Sequence, residues 1–385
     1  MSTEPVIKFL DLKEVYPNPG VMEELQQAAS RVIASGWYLH GPETAAFERE
    51  LAESCEADYA VGVSNGLDAL RLIFRALIEL GRLRPGDEVV YPANTYIASI
   101  LPLDEFGLKG IGVEPDPDTS NLDWNKALAA VTPKTKALLT VHLYGRPSWD
   151  FEIAEELKER GIFIIEDNAQ AIGAKIQDPD GKTHSTGSLG TAAAFSFYPT
   201  KNVGAIGDAG AVTTSSPALA DTVRALANYG SDRRYHNLYR GYNCRLDEIQ
   251  AAMLRVKLHH VAEIRRLRQR LARLYIDSIS HPDIRLPEDT DRMEQVWHQF
   301  PIHTARRDEL RQWLADHGIQ TDIHYATPPH LQPCYEGRRG DFPVTELLAD
   351  TEISLPIASA SEEEVRRVAE TINAFPTQSP RNEQH

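Results

Sequence analysis

Cysteine, cationic charge and long apolar runs are all in short supply in this chain, and each shortage excludes something. The three cysteines in 385 residues, Cys55, Cys244 and Cys334, stand far apart and match no zinc spacing. Reduced thiols in a cytoplasmic protein are therefore the expectation, not a disulfide framework. Lysine and arginine total 40 against 56 acidic residues, a formal net charge of −16. That argues against a nucleic-acid duplex as partner, because such binding draws on clustered cations. An anionic small ligand needs only a few donors and stays open. No apolar run approaches the ~20 residues that span a bilayer. Met1-Ser2-Thr3-Glu4-Pro5 lacks the basic start and apolar stretch of a signal peptide, so no membrane association is expected. His298, His324 and His330 have no paired spacing, and no metal is expected. The polar tail from Thr377 to His385 is expected to fray.

What the chain does have is alternation. Hydrophobic residues make up 42%, enough for a sizeable core. Helical spacing over 21–35 and after Gly41-Pro42 is followed by short apolar runs at 59–63, 88–91, 110–113, 137–142, 162–166, 192–197 and 210–214. Amphipathic stretches lie between them, at about 67–80, 95–104, 123–130, 150–160 and 216–228. Near-continuous apolar strands alternating with helices predict an α/β domain around a mostly parallel sheet. The pattern then changes. Residues 246–278 read as one long helix, followed by a strand around 296–303, a helix at 307–317 and a last helix at 361–374. The expected division is a large α/β domain over 1–245 and a connecting helix with a smaller α+β domain over 246–385. The basic stretch Arg265-Arg266, Arg268, Arg270, Arg273 reads as a solvated face or a subunit contact.

The residues that suggest chemistry follow strand ends, where open α/β sheets bind ligands. Lys201 follows the apolar run Phe195-Ser196-Phe197 and a Pro199 turn. A lysine in such partly dry surroundings becomes a free amine able to join a carbonyl; the plain alternative is a loop lysine in water. Asp167 ends Ile162-Phe163-Ile164-Ile165-Glu166. It reads either as a helix cap or as the acid that holds a proton on a pyridine nitrogen, with Gln170 one turn on toward the ring oxygen. Ser64-Asn65-Gly66-Leu67 is either a plain strand-to-helix turn or one whose N–H groups at Gly66 and Leu67 hold a phosphate, and Ser196 could add its hydroxyl. Tyr96 after the second strand is a core tyrosine or a stacking ring. Asn243 precedes the long helix as a cap or a ligand.

In order and spacing these five segments resemble the DegT/StrS family of pyridoxal-phosphate-dependent nucleotide-sugar aminotransferases, from about Gly41 to Pro356. Val296-Trp297-His298, Ile323-His324-Tyr325 and Ser354-Leu355-Pro356 also look like landmarks of that family. The resemblance implies an aspartate-aminotransferase-like fold, fold type I among pyridoxal-phosphate enzymes, and a homodimer with shared active sites. It implies Lys201 and Asp167 as the catalytic pair on pyridoxal 5'-phosphate, with Gln170, Gly66, Leu67, Tyr96 and Ser196 around the cofactor. Asn243 would reach the phosphate from the other subunit. Leu67 departs from the threonine common at that position, so backbone N–H groups would serve alone there. The Ser64–Leu70, Pro92–Ala98 and Gly207–Gly210 segments look most like the branch acting on dTDP-linked 3-keto-6-deoxy sugars, with L-glutamate the expected amino donor. Tyr198, His324 and Tyr325 are the expected neighbours of the sugar nucleotide. Rival readings are a 4-keto or UDP-linked sugar substrate, and a non-catalytic regulatory protein on the same fold. Relatives that deoxygenate sugars replace the lysine with histidine, so Lys201 favours transamination.

Overall fold

The computed structural model describes residues 5–16, 18, 20–288, 292–335 and 340–377; the tail read as frayed, 377–385, lies outside them beyond Thr377. A seven-stranded sheet forms the centre, in the order Tyr59–Val63, Gly210–Thr214, Ala192–Ser196, Phe163–Asp167, Thr135–Val141, Glu88–Pro92, Lys109–Val113. Every pairing is parallel except the two made by Gly210–Thr214, which runs against both neighbours. Six strands therefore point their carboxyl ends to one edge. Helices cover both faces: Phe74, Leu77, Leu219 and Val223 pack on one side, and Phe47, Leu51, Leu254 and Leu258 on the other. This is the mostly parallel mixed sheet that the alternating pattern predicts.

A second core gathers Leu271, Tyr275, Phe300, Leu310, Ile353, Val365 and Ile372. Its two strands, Phe300–His303 and Glu352–Leu355, are antiparallel. Ile7 joins this core from the start of the chain, bonding through its N–H to Gly318 O at 2.8 Å.

Three elements differ from the sequence reading. The long helix is two, Glu248–His259 and Val261–Ser278. The halves bury against different neighbours, the first on Gly20–Ser35 and Pro42–Cys55, the second on Glu362–Asn373. The chain turns between them at His260, whose N–H takes an i−3 bond to Lys257 O at 3.1 Å. The 95–104 helix is a 3₁₀ turn at Ile97–Ser99 and a short helix at Leu101–Glu105, divided at Ile100, where Pro102 in the first turn has no N–H to carry the ladder back. The 296–303 strand starts only at Phe300, because Val296 and His298 spend their N–H groups on Gly145 O at 3.0 Å and Tyr144 O at 2.8 Å. The helix Pro343–Thr351 and the strand after it were not anticipated; Glu114, remote in sequence, accepts the Val344 and Thr345 N–H groups at 2.8 and 2.9 Å.

Glu248 ties the first of the two helices to the main body. It is buried, and its carboxyl accepts the N–H groups of Gly41, Glu43 and Thr44 at 2.9, 2.9 and 2.8 Å, capping the helix Pro42–Cys55 from a distance. Burial works to raise its pKa, but those donors outweigh it and hold it below 4.5. A depressed carboxyl contributes stability above its unfolded value, and the contribution is lost as pH falls through the folded value. Glu248→Gln should lose about 1.5–3 kcal/mol at neutral pH in urea unfolding, and the gap to wild type should narrow in acid. A gap that ignores pH would mean the charge is not what stabilises.

Candidate active site

The carboxyl ends of the parallel strands carry Asp167, the Lys201 loop, Tyr96 and the Gly66 turn to one edge of the sheet. Asp167 closes its strand, buried. Its Oδ2 accepts from Ser99 Oγ at 2.7 Å, and Ser99 is itself 2.7 Å from Thr95 Oγ1. Its Oδ1 accepts the Ala169 N–H at 3.1 Å. The adjacent Glu166 faces the other side of the sheet. It is fully buried and takes His142 Nε2 at 2.9 Å and the N–H groups of Gly187 and Gly190 at 2.8 and 2.9 Å. The two consecutive acids thus have separate environments.

Lys201 lies on a compact loop after the neighbouring strand. The Ala205 N–H returns to Phe197 O at 2.7 Å, and the Lys201 N–H to Tyr198 O at 2.8 Å. Gly204 is required here: a Cβ would stand 2.3 Å from Pro199 O. Helix 248–259 clamps the far side, Lys257 Nζ donating to Gly204 O and Gln250 Oε1 accepting the Ile206 N–H at 3.0 Å. Burial pushes the Lys201 amine down to about 8, against the charge of Asp167, which works to raise it.

At the first strand end, Asn65 caps the helix Gly66–Glu79 by accepting the Asp68 N–H at 2.8 Å. The N–H groups of Gly66 and Leu67 stay free of protein partners, as expected of a first helical turn. Gly66 lies against Ser196, whose Cβ would be 2.6 Å from a Cβ added at Gly66. Two N–H donors and a hydroxyl therefore share one cradle.

Tyr96 is half exposed, its ring centroid 5.0 Å from that of Tyr325. Gln170 uses both ends of its amide: Oε1 accepts the Tyr144 N–H at 2.6 Å and Nε2 donates to Tyr325 Oη at 2.9 Å, leaving one N–H. Tyr144 Oη in turn donates to His324 O. So Tyr325 meets Gln170 and Tyr96, His324 is linked to Gln170 through Tyr144, and Tyr198 is exposed on the Lys201 loop. Asn243 is exposed in a bridge to Asn228, and no contact joins it to Asp167 or Lys201 within this chain.

Sequence reading missed several groups here. Thr95 and Ser99 are one helical turn apart, and that spacing was the available signal. Arg268, read as part of a solvated face or a subunit contact, is buried within this chain and donates to Trp297 O and His298 O at 3.0 and 3.2 Å. Burial lowers its pKa to about 10. His298 is buried as well, its Nδ1 3.0 Å from Asn202 Oδ1, directly beside Lys201 in sequence.

Residues 19–373 match the DegT/DnrJ/EryC1/StrS aminotransferase family. The chain belongs to that family. It is 46% identical over 373 residues to the dTDP-3-amino-3,6-dideoxy-alpha-D-galactopyranose transaminase of Aneurinibacillus thermoaerophilus, covering 96% of this chain and 99% of that one. The dTDP-3-amino-3,4,6-trideoxy-alpha-D-glucose transaminase of Streptomyces venezuelae is 45% identical over 358 residues, covering 92% and 91%. Among solved structures, S. venezuelae DesV in complex with a ketimine intermediate superposes with a TM-score of 0.90 at 43% identity, covering 96% of this chain and 98% of that chain. The protein is accordingly a sugar-nucleotide aminotransferase of fold type I, and its cofactor is pyridoxal phosphate. The donor set fits that cofactor: a free cradle at a helix start for a phosphate, a buried acid for a ring nitrogen and a depressed amine for an aldehyde. Among the described residues no helix is long and apolar enough to cross a membrane.

The depressed amine is directly testable. Labelling of cofactor-free protein with an amine-reactive reagent should show Lys201 titrating near 8. Asp167→Asn removes the charge that holds the ammonium form, so the midpoint should move lower still. A midpoint at the ordinary lysine value would show that the amine is hydrated.

Proposed function

We propose that the protein moves an amino group from L-glutamate to the 3-keto group of a dTDP-linked 6-deoxyhexose, releasing a dTDP-3-amino-3,6-dideoxyhexose in the cytoplasm. The reading rests on the depressed Lys201 amine held beside Asp167 at adjacent strand ends. The names of the relatives at 45–46% identity support the sugar and the nucleotide.

When bound, pyridoxal phosphate supplies an aldehyde carbon and an electron-accepting ring. Gly66 and Leu67 would hold its phosphate through their N–H groups, with Ser196 Oγ beside them. Leu67 brings no hydroxyl to that task. Asp167 would hold a proton on the ring nitrogen, its own oxygens kept in place by Ser99 and Ala169. Tyr96 would cover one ring face, and the remaining Gln170 N–H would meet the ring oxygen. Lys201 would first hold the aldehyde carbon through Nζ. When free, that Nζ would hold and move a proton at the donor's α-carbon. Tyr198, His324 and Tyr325 would line the sugar-nucleotide side. In a homodimer, Asn243 would complete the phosphate site of the other subunit.

The decisive experiment is product analysis after incubation with glutamate, pyridoxal phosphate and a panel of keto sugars. A 3-amino dTDP sugar is expected. A 4-amino or UDP-linked product would overturn the substrate assignment, and absence of any visible band on adding pyridoxal phosphate would favour a non-catalytic role. Lys201→Ala should lose both the visible band and turnover. Asp167→Asn should keep the cofactor but slow transfer about ten- to a hundredfold, the worth of a charge-assisted hydrogen bond. Mixing Lys201→Ala with Asn243→Ala subunits should regenerate one intact site per hybrid dimer; no recovery of activity would count against shared sites.

A further inference from the structure

The landmark segments 323–325 and 354–356 carry a hydrogen-bonded chain that the mechanism above does not use. Glu352 is 1% exposed and Ser354 is fully buried, both on the inner strand of the second core. Glu352 Oε2 accepts the His324 N–H at 2.6 Å, and its Oε1 lies 2.5 Å from Ser354 Oγ. Ser354 Oγ lies 2.9 Å from His324 Nδ1. The far ring nitrogen, Nε2, points away from this chain, 3.4 Å from Gln299 Nε2 and 3.9 Å from Asp322 Oδ2.

A hydroxyl between a carboxyl and an imidazole has one proton to give and must accept at its oxygen. With Glu352 neutral, its O–H donates to Ser354, Ser354 donates to Nδ1, and the neutral imidazole carries its proton on Nε2. With Glu352 ionised, Ser354 donates to Glu352 instead and accepts from Nδ1–H, so Nε2 is bare. The two arrangements differ by one proton in total. Passing between them, the proton on Nε2 leaves, Ser354 gives its proton to Nδ1, and Glu352 gives its own to Ser354. Gln299 suits both states by turning its amide, presenting oxygen to Nε2–H or N–H to the bare nitrogen.

We propose that Glu352, Ser354 and His324 form a proton relay that lets a neutral imidazole deliver a proton from Nε2 and recover it from a carboxyl buried behind it. It rests on the reading that His324 borders the sugar nucleotide, and it names what that residue does there: it gives a proton to, or takes one from, an oxygen of the sugar. The surroundings set the relay near neutrality. Burial, with Asp322 adding to it, raises Glu352 to about 8 against Ser354, the His324 N–H and Arg307, which favour its charged form. His324 is pushed well below the ordinary imidazole value by burial and by Lys201, while Asp322 opposes, so its ring stays neutral as Glu352 titrates. The phenols of Tyr144 and Tyr325, both raised by burial and by nearby carboxylates including Glu352, stay protonated over the same range. His298 also faces this side and is neutral, its pKa driven down by burial, Lys201, Arg268 and His324.

The test is the tautomer of His324, read by ¹⁵N spectra of histidine-labelled, cofactor-free protein, with His324→Gln identifying the signal. The ring should carry its proton on Nε2 below about 8 and on Nδ1 above it. Glu352→Gln keeps a donor toward Ser354 and should lock the Nε2–H form at every pH. Ser354→Ala should abolish the switch, and Ser354→Thr, which restores the hydroxyl, should recover it. A wild-type tautomer indifferent to pH, or a switch that survives Ser354→Ala, would overturn the relay. The same samples separate it from the substrate reading: if the switch is present but His324→Gln leaves kcat and KM for the keto sugar unchanged, His324 does not face the sugar and the proposed proton delivery fails with it.

Discussion

A carboxyl group removed from water needs donors around it or it loses its charge, and this chain meets that need only through its tertiary fold. Glu166 and Asp167 are the centre of the arrangement. Neighbours on a strand point to opposite faces, so one acid can be consumed by structure while the other serves the site. His142 accepts the Ser148 N–H at Nδ1, 2.9 Å away, which leaves Nε2 to donate to Glu166. That bond ties two neighbouring strand ends, and the Gly187 and Gly190 N–H groups bind the sheet to the loop that precedes Ala192–Ser196. Asp167 receives fewer donors, a hydroxyl and one N–H. It therefore keeps capacity for a further partner and for the field it exerts on Lys201.

The features readable from sequence are those fixed by local pattern. Apolar runs gave the seven strands to within a residue or two, because strands of a covered, mostly parallel sheet read as near-continuous apolar stretches. Asp167 was legible because a charge at the end of such a run sits at a sheet edge, and Lys201 because a Pro-bearing turn follows its run. What escaped depends on partners distant in the chain. Pro343–Thr351 has its first turn satisfied by Glu114, more than two hundred residues earlier, so no local cap announces it. Arg268 lies among other arginines and differs from them only in facing the carbonyls of Trp297 and His298. His260 breaks a helix whose sequence is continuous, because the two halves have different neighbours.

The second core matters to the site through what it holds against it. Tyr144 joins the two: its N–H bonds to Gln170 in the main body, its Oη reaches His324, and its carbonyl accepts the His298 N–H. Asn202, next to Lys201, is clamped from the same side by His298 and by the Val296 carbonyl, at 3.0 Å each. Residues 296–298 and the helix Glu248–His259 thereby fix the lysine loop from two sides, so the amine owes its position to contacts that no single motif contains.

That positioning has an energetic consequence. An amine at the ordinary 10.5 would be almost wholly protonated at neutral pH, unable to add to a carbonyl; at about 8 a substantial minority is free. Dryness alone would push the value further, and a protonless amine could not serve as an acid in the return step. Asp167 opposes the burial, so the same acid that suits a ring nitrogen also keeps Lys201 within reach of both protonation states. In the proposed reaction the amine would be base and acid in turn, and the balance between a dry loop and one nearby carboxyl suits it to both roles.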